Sequence, residues 1–165
     1  MREFDINGMH LADYQGGLFA KSVTELNYST PIFIRRFLHS SLLKRLDKQK
    51  AFLIDPEPLI GLEEINLEFG ETSFGHTKFD EKAMYWVGWF TRYLSYTREI
   101  STNIVFKYFP YEKLISLYPT FHTQGEEWCF ESLMDLYHLP YDYFDKNNRL
   151  KEAIRKNNPY FAKKK

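Results

Sequence analysis

Capping residues and prolines punctuate this chain at intervals that suit a succession of short helices and little else. Proline is tolerated in the first turn of a helix, where its missing N–H would have no partner, and it disrupts a helix interior. Ser29 or Thr30 followed by Pro31 therefore opens a helix over residues 31–47, in which Ile34, Phe37, Leu38, Leu42 and Leu46 recur at helical spacing. Asp55 with Pro56 repeats the device for a helix that Gly70 stops. Asp80 caps a long helix ending near Glu99. Ser101 opens a short helix through Phe109, and Pro110 opens another through Tyr118, which Pro119 ends. Thr123-x-x-Glu126 has the form of a capping box for a helix to about Tyr137. Pro140 breaks it, and Asp145 starts a last, basic helix.

The remaining segments are less regular. GETSFGHT after Phe69 is the most loop-like stretch. REFDI suits a short strand, Asn7-Gly8 a turn, and residues 11–26 a helix weakened by Gly16-Gly17. The expected fold class is mainly α: a single compact multi-helix domain over residues 1–165, with a short N-terminal strand and a frayed basic tail from about residue 157. The 165 residues suffice for one core.

Fifteen Phe, twelve Tyr and three Trp mean that rings rather than aliphatic chains fill much of that core. They are densest in YWVGWFTRYLSY, residues 85–96. At 100° per residue from Tyr85, the apolar arc runs from Tyr96 at about 20° through Trp89, Tyr93, Trp86 and Phe90 to Val87 at about 200°. Gly88, Thr91 and Ser95 form a small-residue ridge at about 240–300°. This is a central helix, with rings on one side and a close neighbour on the other. Arg92, at about 340°, sits beside Tyr85 and Tyr96. Trp89, Arg92 and Tyr96 are read as an exposed rim, because Trp, Tyr and Arg are the types enriched at interface hot spots.

Net charge is zero, but local charge is uneven. Arg35, Arg36, Lys44, Arg45, Lys48 and Lys50 face only Asp47 within residues 31–50. Residues 51–81 are acidic, with Lys78 the one cation. That block either meets a basic partner or folds back on the basic helix. The start MREFDING has no apolar h-region, and no apolar run approaches a membrane span, so a cytoplasmic location without a membrane partner is expected. A lone Cys129, in an apolar helical run, excludes an internal disulfide framework and is expected to be buried.

Sequence motifs for catalysis are absent. No phosphate loop, GxSxG elbow or HExxH is present, and the five histidines stand apart, so no metal, cofactor or catalytic residue is assigned. His39 follows Arg35 and Arg36 too closely for the Arg-to-His spacing of helical ribonucleases. His122 with Glu126 and Glu127 has the chemistry of an acid–base group, and equally that of an acidic first turn. The basic helix 31–47 and the tail RLKEAIRKNNPYFAKKK carry charge suited to phosphate, but YEKLISLY offers little for a DNA groove.

The run MYWVGWFTRYLSYTREISTNIVFKYFPYEKLISLYPTFHT resembles a family of short Firmicutes proteins with a YWxGxxxRYxxYT core. Ser101, Pro110, Leu117-Tyr118 and His122-Thr123 follow in the family's order, and TPIFIRRFLHSSLLKRLD is similar to its Phe-Ile-Arg-Arg-Phe segment. Gln124-Gly125 departs from the family's Leu-Asp. The resemblance implies genes often encoded beside toxin–antitoxin loci. It supplies no catalytic residue.

The function expected is that of a small bacterial antitoxin-like or defence-associated protein that binds and neutralises or regulates a protein partner, such as a toxin encoded nearby. Trp89, Arg92, Tyr96, His122 and Glu126 are its candidate contacts. The rivals are a toxin or effector enzyme acting on RNA, with His122, Glu126 and Arg92 converging, and a nucleic-acid-binding regulator.

Overall fold

A computed structural model describes residues 1–145 together with positions 150 and 153. Among these residues lie α1 (Ile6–Glu25), α2 (Thr30–His39), α3 (Ser41–Leu46), α4 (Pro58–Phe69), α5 (Glu81–Arg98), α6 (Thr102–Tyr108), α7 (Tyr111–Phe121) and α8 (Glu126–Leu136), with a 3-10 turn at Ala51–Leu53. The fold is mainly α, a single compact domain. Of the expected basic helix after Asp145 only Leu150 and Ala153 are described, both helical, and the frayed tail expected from about residue 157 lies outside the described residues.

The architecture is organised by α1 against α5. A Cβ at Gly88 would lie 2.5 Å from the Gln15 carbonyl oxygen and 2.8 Å from the Phe19 ring. A Cβ at Gly16 would lie 3.0 Å from the Tyr85 ring. The ridge of Gly88, Thr91 and Ser95 thus admits its neighbour as its spacing predicts. Gly16, expected to weaken its helix, is what lets that helix approach. Its propensity cost of about 1 kcal/mol is set against a dry, close-packed contact between two long helices. From Val87 to Arg98, α5 is buried at every position except Trp89.

Several boundaries differ from the sequence expectation, each for a local reason. REFDI forms no strand: Asp5 accepts a hydrogen bond from Gly8 N at 2.9 Å and caps α1, so Asn7-Gly8 lies inside the helix. The single helix expected over 31–47 is two. Ser40 takes extended geometry, donates its hydroxyl to Phe37 O and accepts from Leu43 N, ending α2 and capping α3. Glu57 and Pro58, rather than Asp55 and Pro56, open α4, while the Asp55 carboxylate turns back to Glu57 N. Gly70 ends that helix at φ +84° as expected. Helix α7 runs through Pro119 to Phe121: Pro119 forfeits the hydrogen bond its N–H would have given, but the last turn is held by the burial of Phe121, edge-on to Trp86, and by His122 N donating to Tyr118 O. The capping box does not form: Thr123 donates to Thr120 O, and Gly125 occupies the N-cap of α8.

Elsewhere aromatic rings close the core. Phe19 meets Phe33 and Phe37 edge-on at 5.2 and 5.0 Å. Phe144, after Pro140, packs on Tyr108 and Phe109. The acidic block does fold back on the basic helices. Glu64 pairs with Arg45, and Glu68 accepts from Ser41 N and Oγ, both at 2.9 Å. Such exposed pairs contribute little stability. They fix the alignment of α3 on α4.

Candidate functional site

Three of the five sequence-predicted contact residues meet at one cleft, and two do not. Trp89 lies half-buried on the outer side of α5. Its indole N–H donates to Asp13 Oδ1 of α1 at 2.9 Å, and its ring stacks on Tyr93 with centroids 5.9 Å apart. The Tyr85 hydroxyl donates to the same carboxylate oxygen at 3.4 Å. Trp86 stacks on Phe90 at 5.0 Å.

Beside these rings α7 ends and α8 begins. His122 caps α7; its ring stacks on Tyr118 at 4.4 Å, and its Nδ1–H donates to Tyr118 O at 2.7 Å. A carbonyl only accepts, so Nε2 carries the lone pair of the neutral ring. Glu126 stands exposed in the first turn of α8. Together Tyr85, Trp86, Trp89, His122, Glu126 and Cys129 line a cleft of about 210 Å³, and no Lys or Arg lines it. Trp128 stands 46 % exposed next to Glu127, its ring edge-on to Phe121.

Arg92 and Tyr96 correct the expected rim, for both are 0 % exposed. Arg92 is buried because α1, α3 and α6 all supply acceptors to it. Its Nε–H donates to Gln15 Oε1 at 2.9 Å, Nη1 to Asp47 Oδ1 at 3.0 Å and to Leu46 O at 3.2 Å, and Nη2 to Thr102 Oγ1 at 2.9 Å. Asp47 in turn accepts from Thr102 N and Oγ1. Burial pulls the Arg92 pKa down, and the Asp47 charge opposes that shift. The Gln15 amide spans to Gly88 O and Thr91 Oγ1, which completes a four-element clip. Tyr96 donates to Asp5 Oδ1 at 2.6 Å, with the Arg2 guanidinium 3.8 Å over its ring. Both residues hold the N-terminal segment and the helices together.

Glu127 belongs to the frame of the cleft. Arg98 Nη2 donates to it at 2.8 Å, the Tyr93 hydroxyl donates to it as well, and the Arg98 guanidinium lies 4.0 Å over Phe130. Burial works to raise the Glu127 pKa, but the Arg98 and Tyr93 hydrogen bonds outweigh it and hold the carboxyl below its ordinary range. This triad fastens α8 to α5 and so sets the width of the cleft.

Arg92 does not converge with His122 and Glu126, so the acid–base trio is not assembled. Cys129 is buried as its setting predicts. Its thiol donates to Phe121 O at 3.3 Å, and burial pushes its pKa up to about 11, far from a reactive thiolate. Among the described residues no group of three or more His, Cys, Asp or Glu side chains is placed to hold a metal ion, and no helix is long and apolar enough to cross a membrane.

Asp13 is the site residue that sequence reasoning missed. It stands 72 and 76 positions from the two α5 side chains it accepts from, and no periodicity in α1 marks it. Comparison of the chain with known protein families, curated proteins and solved structures found no match.

Proposed function

We propose that this chain is a small partner-binding protein of antitoxin-like or defence-associated type, and that it captures a basic segment of its protein partner at the Trp89–His122–Glu126 cleft. The observation that carries the reading is the composition of the cleft. Four aromatic side chains of one helix, Tyr85, Trp86, Trp89 and Phe90, line it, with the Glu126 carboxylate among its lining residues and no Lys or Arg; Asp13 steadies two of the rings from outside by accepting from Trp89 and Tyr85. Aromatic anchors in a desolvated pocket supply most of the affinity of a protein interface, and complementary charge selects the partner and speeds encounter. A partner lysine or arginine would sit over an indole face with its charge toward Glu126. Neutralisation then follows by steric occlusion of whatever surface of the partner surrounds that segment. The resemblance to proteins encoded beside toxin–antitoxin loci supports the same reading.

The test is co-expression with the product of the adjacent gene. The chain alone leaves growth of a bacterial host unaffected, and with its neighbour it co-purifies and relieves any growth arrest the neighbour causes. Glu126→Lys, at an exposed position, abolishes capture with the far-UV circular dichroism unchanged. Growth arrest by the chain alone, or undiminished capture by the Glu126→Lys variant, overturns the proposal.

A further inference from the structure

The basic helix leaves one guanidinium unspent, and aromatic surface flanks it on both sides. On α2, Arg36 is committed: it donates to Gly70 O at 2.7 Å and lies 4.7 Å over the Tyr28 ring. Arg35, one residue earlier, is exposed, and no carboxylate among the described residues pairs with it. His39, one turn on, gives its Nδ1–H to Arg35 O at 2.8 Å, which leaves Nε2 facing outward as an acceptor in the neutral ring and a donor in the charged one.

Arg35 and His39 line two clefts at once. One, of about 450 Å³, has Phe69 and Phe74 in its wall; the other, of about 310 Å³, has Tyr111. Phe74 is 73 % exposed on the loop between α4 and α5, a large apolar ring left against water. That loop is not loose, for Ser29 N donates to Phe74 O and Thr30 N to Thr77 O, tying it to the start of α2. Glu112 is the one carboxylate lining the second cleft, and the first has none.

We infer that this face binds single-stranded nucleic acid, with a backbone phosphate on Arg35 and the two adjoining bases in the flanking clefts, one stacked on Phe74 and the other against Tyr111. The arrangement meets both requirements of sequence-tolerant strand binding: a cation for the backbone, and ring faces for bases splayed to either side of it. A duplex keeps its bases stacked inside and cannot fill the clefts. The inference is independent of the proposed protein partner, because the two surfaces share no residue.

The experiment is fluorescence anisotropy of the full chain with labelled ten-nucleotide oligouridylate and oligothymidylate, and with a duplex of the same length. At about 50 mM salt both single strands bind and the duplex binds more weakly; the ratio of the two single strands tells RNA from DNA as the source. Arg35→Glu weakens single-strand binding at least about tenfold and lowers the salt slope by about one phosphate contact. Phe74→Ala weakens it by about 5- to 150-fold, the range of one lost stacking contact. Both residues are exposed, so the circular dichroism of the variants is that of the parent. The inference is overturned if no strand binds, or if either variant binds like the parent. It is also overturned if the duplex binds as well as the single strands.

Discussion

Replacing Arg92 with alanine separates a residue that holds the fold from one that meets a partner. The guanidinium reaches Gln15, Leu46, Asp47 and Thr102 from a position with no exposed surface. Removing it has unequal consequences for these groups. Leu46 O keeps the hydrogen bond from Gln49 N, and Asp47, with a side chain 20 % exposed, keeps those from Thr102 N and Oγ1. Gln15 Oε1 keeps nothing, and a buried acceptor left without a donor costs about 1–3 kcal/mol. Breaking a buried ion pair by deleting one partner costs about 3–5 kcal/mol, and the contacts and water left to Asp47 put this pair toward the lower end. The two come to about 4–6 kcal/mol, and the void left by the largest fully buried side chain adds to that.

The assay is urea unfolding followed by far-UV circular dichroism. With a denaturant slope of about 2 kcal/mol/M, Arg92→Ala lowers the midpoint by about 2–3 M, a large share of a typical domain stability of about 5–15 kcal/mol. Arg92→Lys recovers part of this. An ammonium can hold Asp47, but it lacks the fork that reaches Gln15 and Thr102 together. A midpoint for Arg92→Ala within about 0.5 M of the parent would refute the clip and return Arg92 to the list of surface contacts.

The remaining predictions test other joints of the fold. Gly88→Ala gains about 1 kcal/mol of helix propensity but drives a methyl to 2.5 Å from the Gln15 carbonyl, which cannot yield. The net loss is about 1–3 kcal/mol, read as a fall in melting temperature, and an unchanged or raised melting temperature would show that α1 and α5 slide apart freely. Glu127 has a folded-state pKa below its unfolded one, so its contribution is fully present above about pH 4.3 and is lost as the pH falls through the folded value. Glu127→Gln therefore loses stability at neutral pH and converges on the parent in acid; parallel stability curves across that range would contradict the Arg98–Tyr93 clamp. Cys129, with a pKa of about 11, is about one part in a thousand thiolate at pH 8 and is buried as well. Its reaction with a thiol reagent is slow in the native protein and immediate in urea, and equal rates would mean that α8 opens readily.

What could be read from the sequence was local. The caps at Asp80 and Ser101 and the proline that opens α2 each act within their own first turn, and the stops at Gly70 and Glu99 within the last, so their residue types suffice to place them. The break at Ser40 was hidden because Leu42 and Leu46 continue the apolar spacing of α2 across it, and spacing does not register a change of axis. The candidate cleft was half legible: Trp89, His122 and Glu126 carry suitable chemistry, but only the return of α7 and α8 over α5 brings them together, and Asp13 arrives from α1 unannounced.

Arg92 and Tyr96 were misplaced for a related reason. A helical wheel gives a side chain an angle and says nothing of what lies at that angle. The acceptors of Arg92 on other elements stand 77, 46, 45 and 10 positions away, and the Asp5 carboxylate that takes the Tyr96 hydroxyl stands 91 away. Yet the wheel held a usable signal beside them. A ridge of Gly88, Thr91 and Ser95 is compatible only with a neighbouring helix in close contact, and that neighbour covers the flank of the ridge as well. A long side chain at the next angular position then has no route to water. Its charge must be met by groups the neighbour brings, as the amide of Gln15 does here. An arginine bordering a small-residue ridge on a mostly apolar helix is therefore better read as a buried clip than as a rim, because the packing that the ridge requires also closes the space the rim would need.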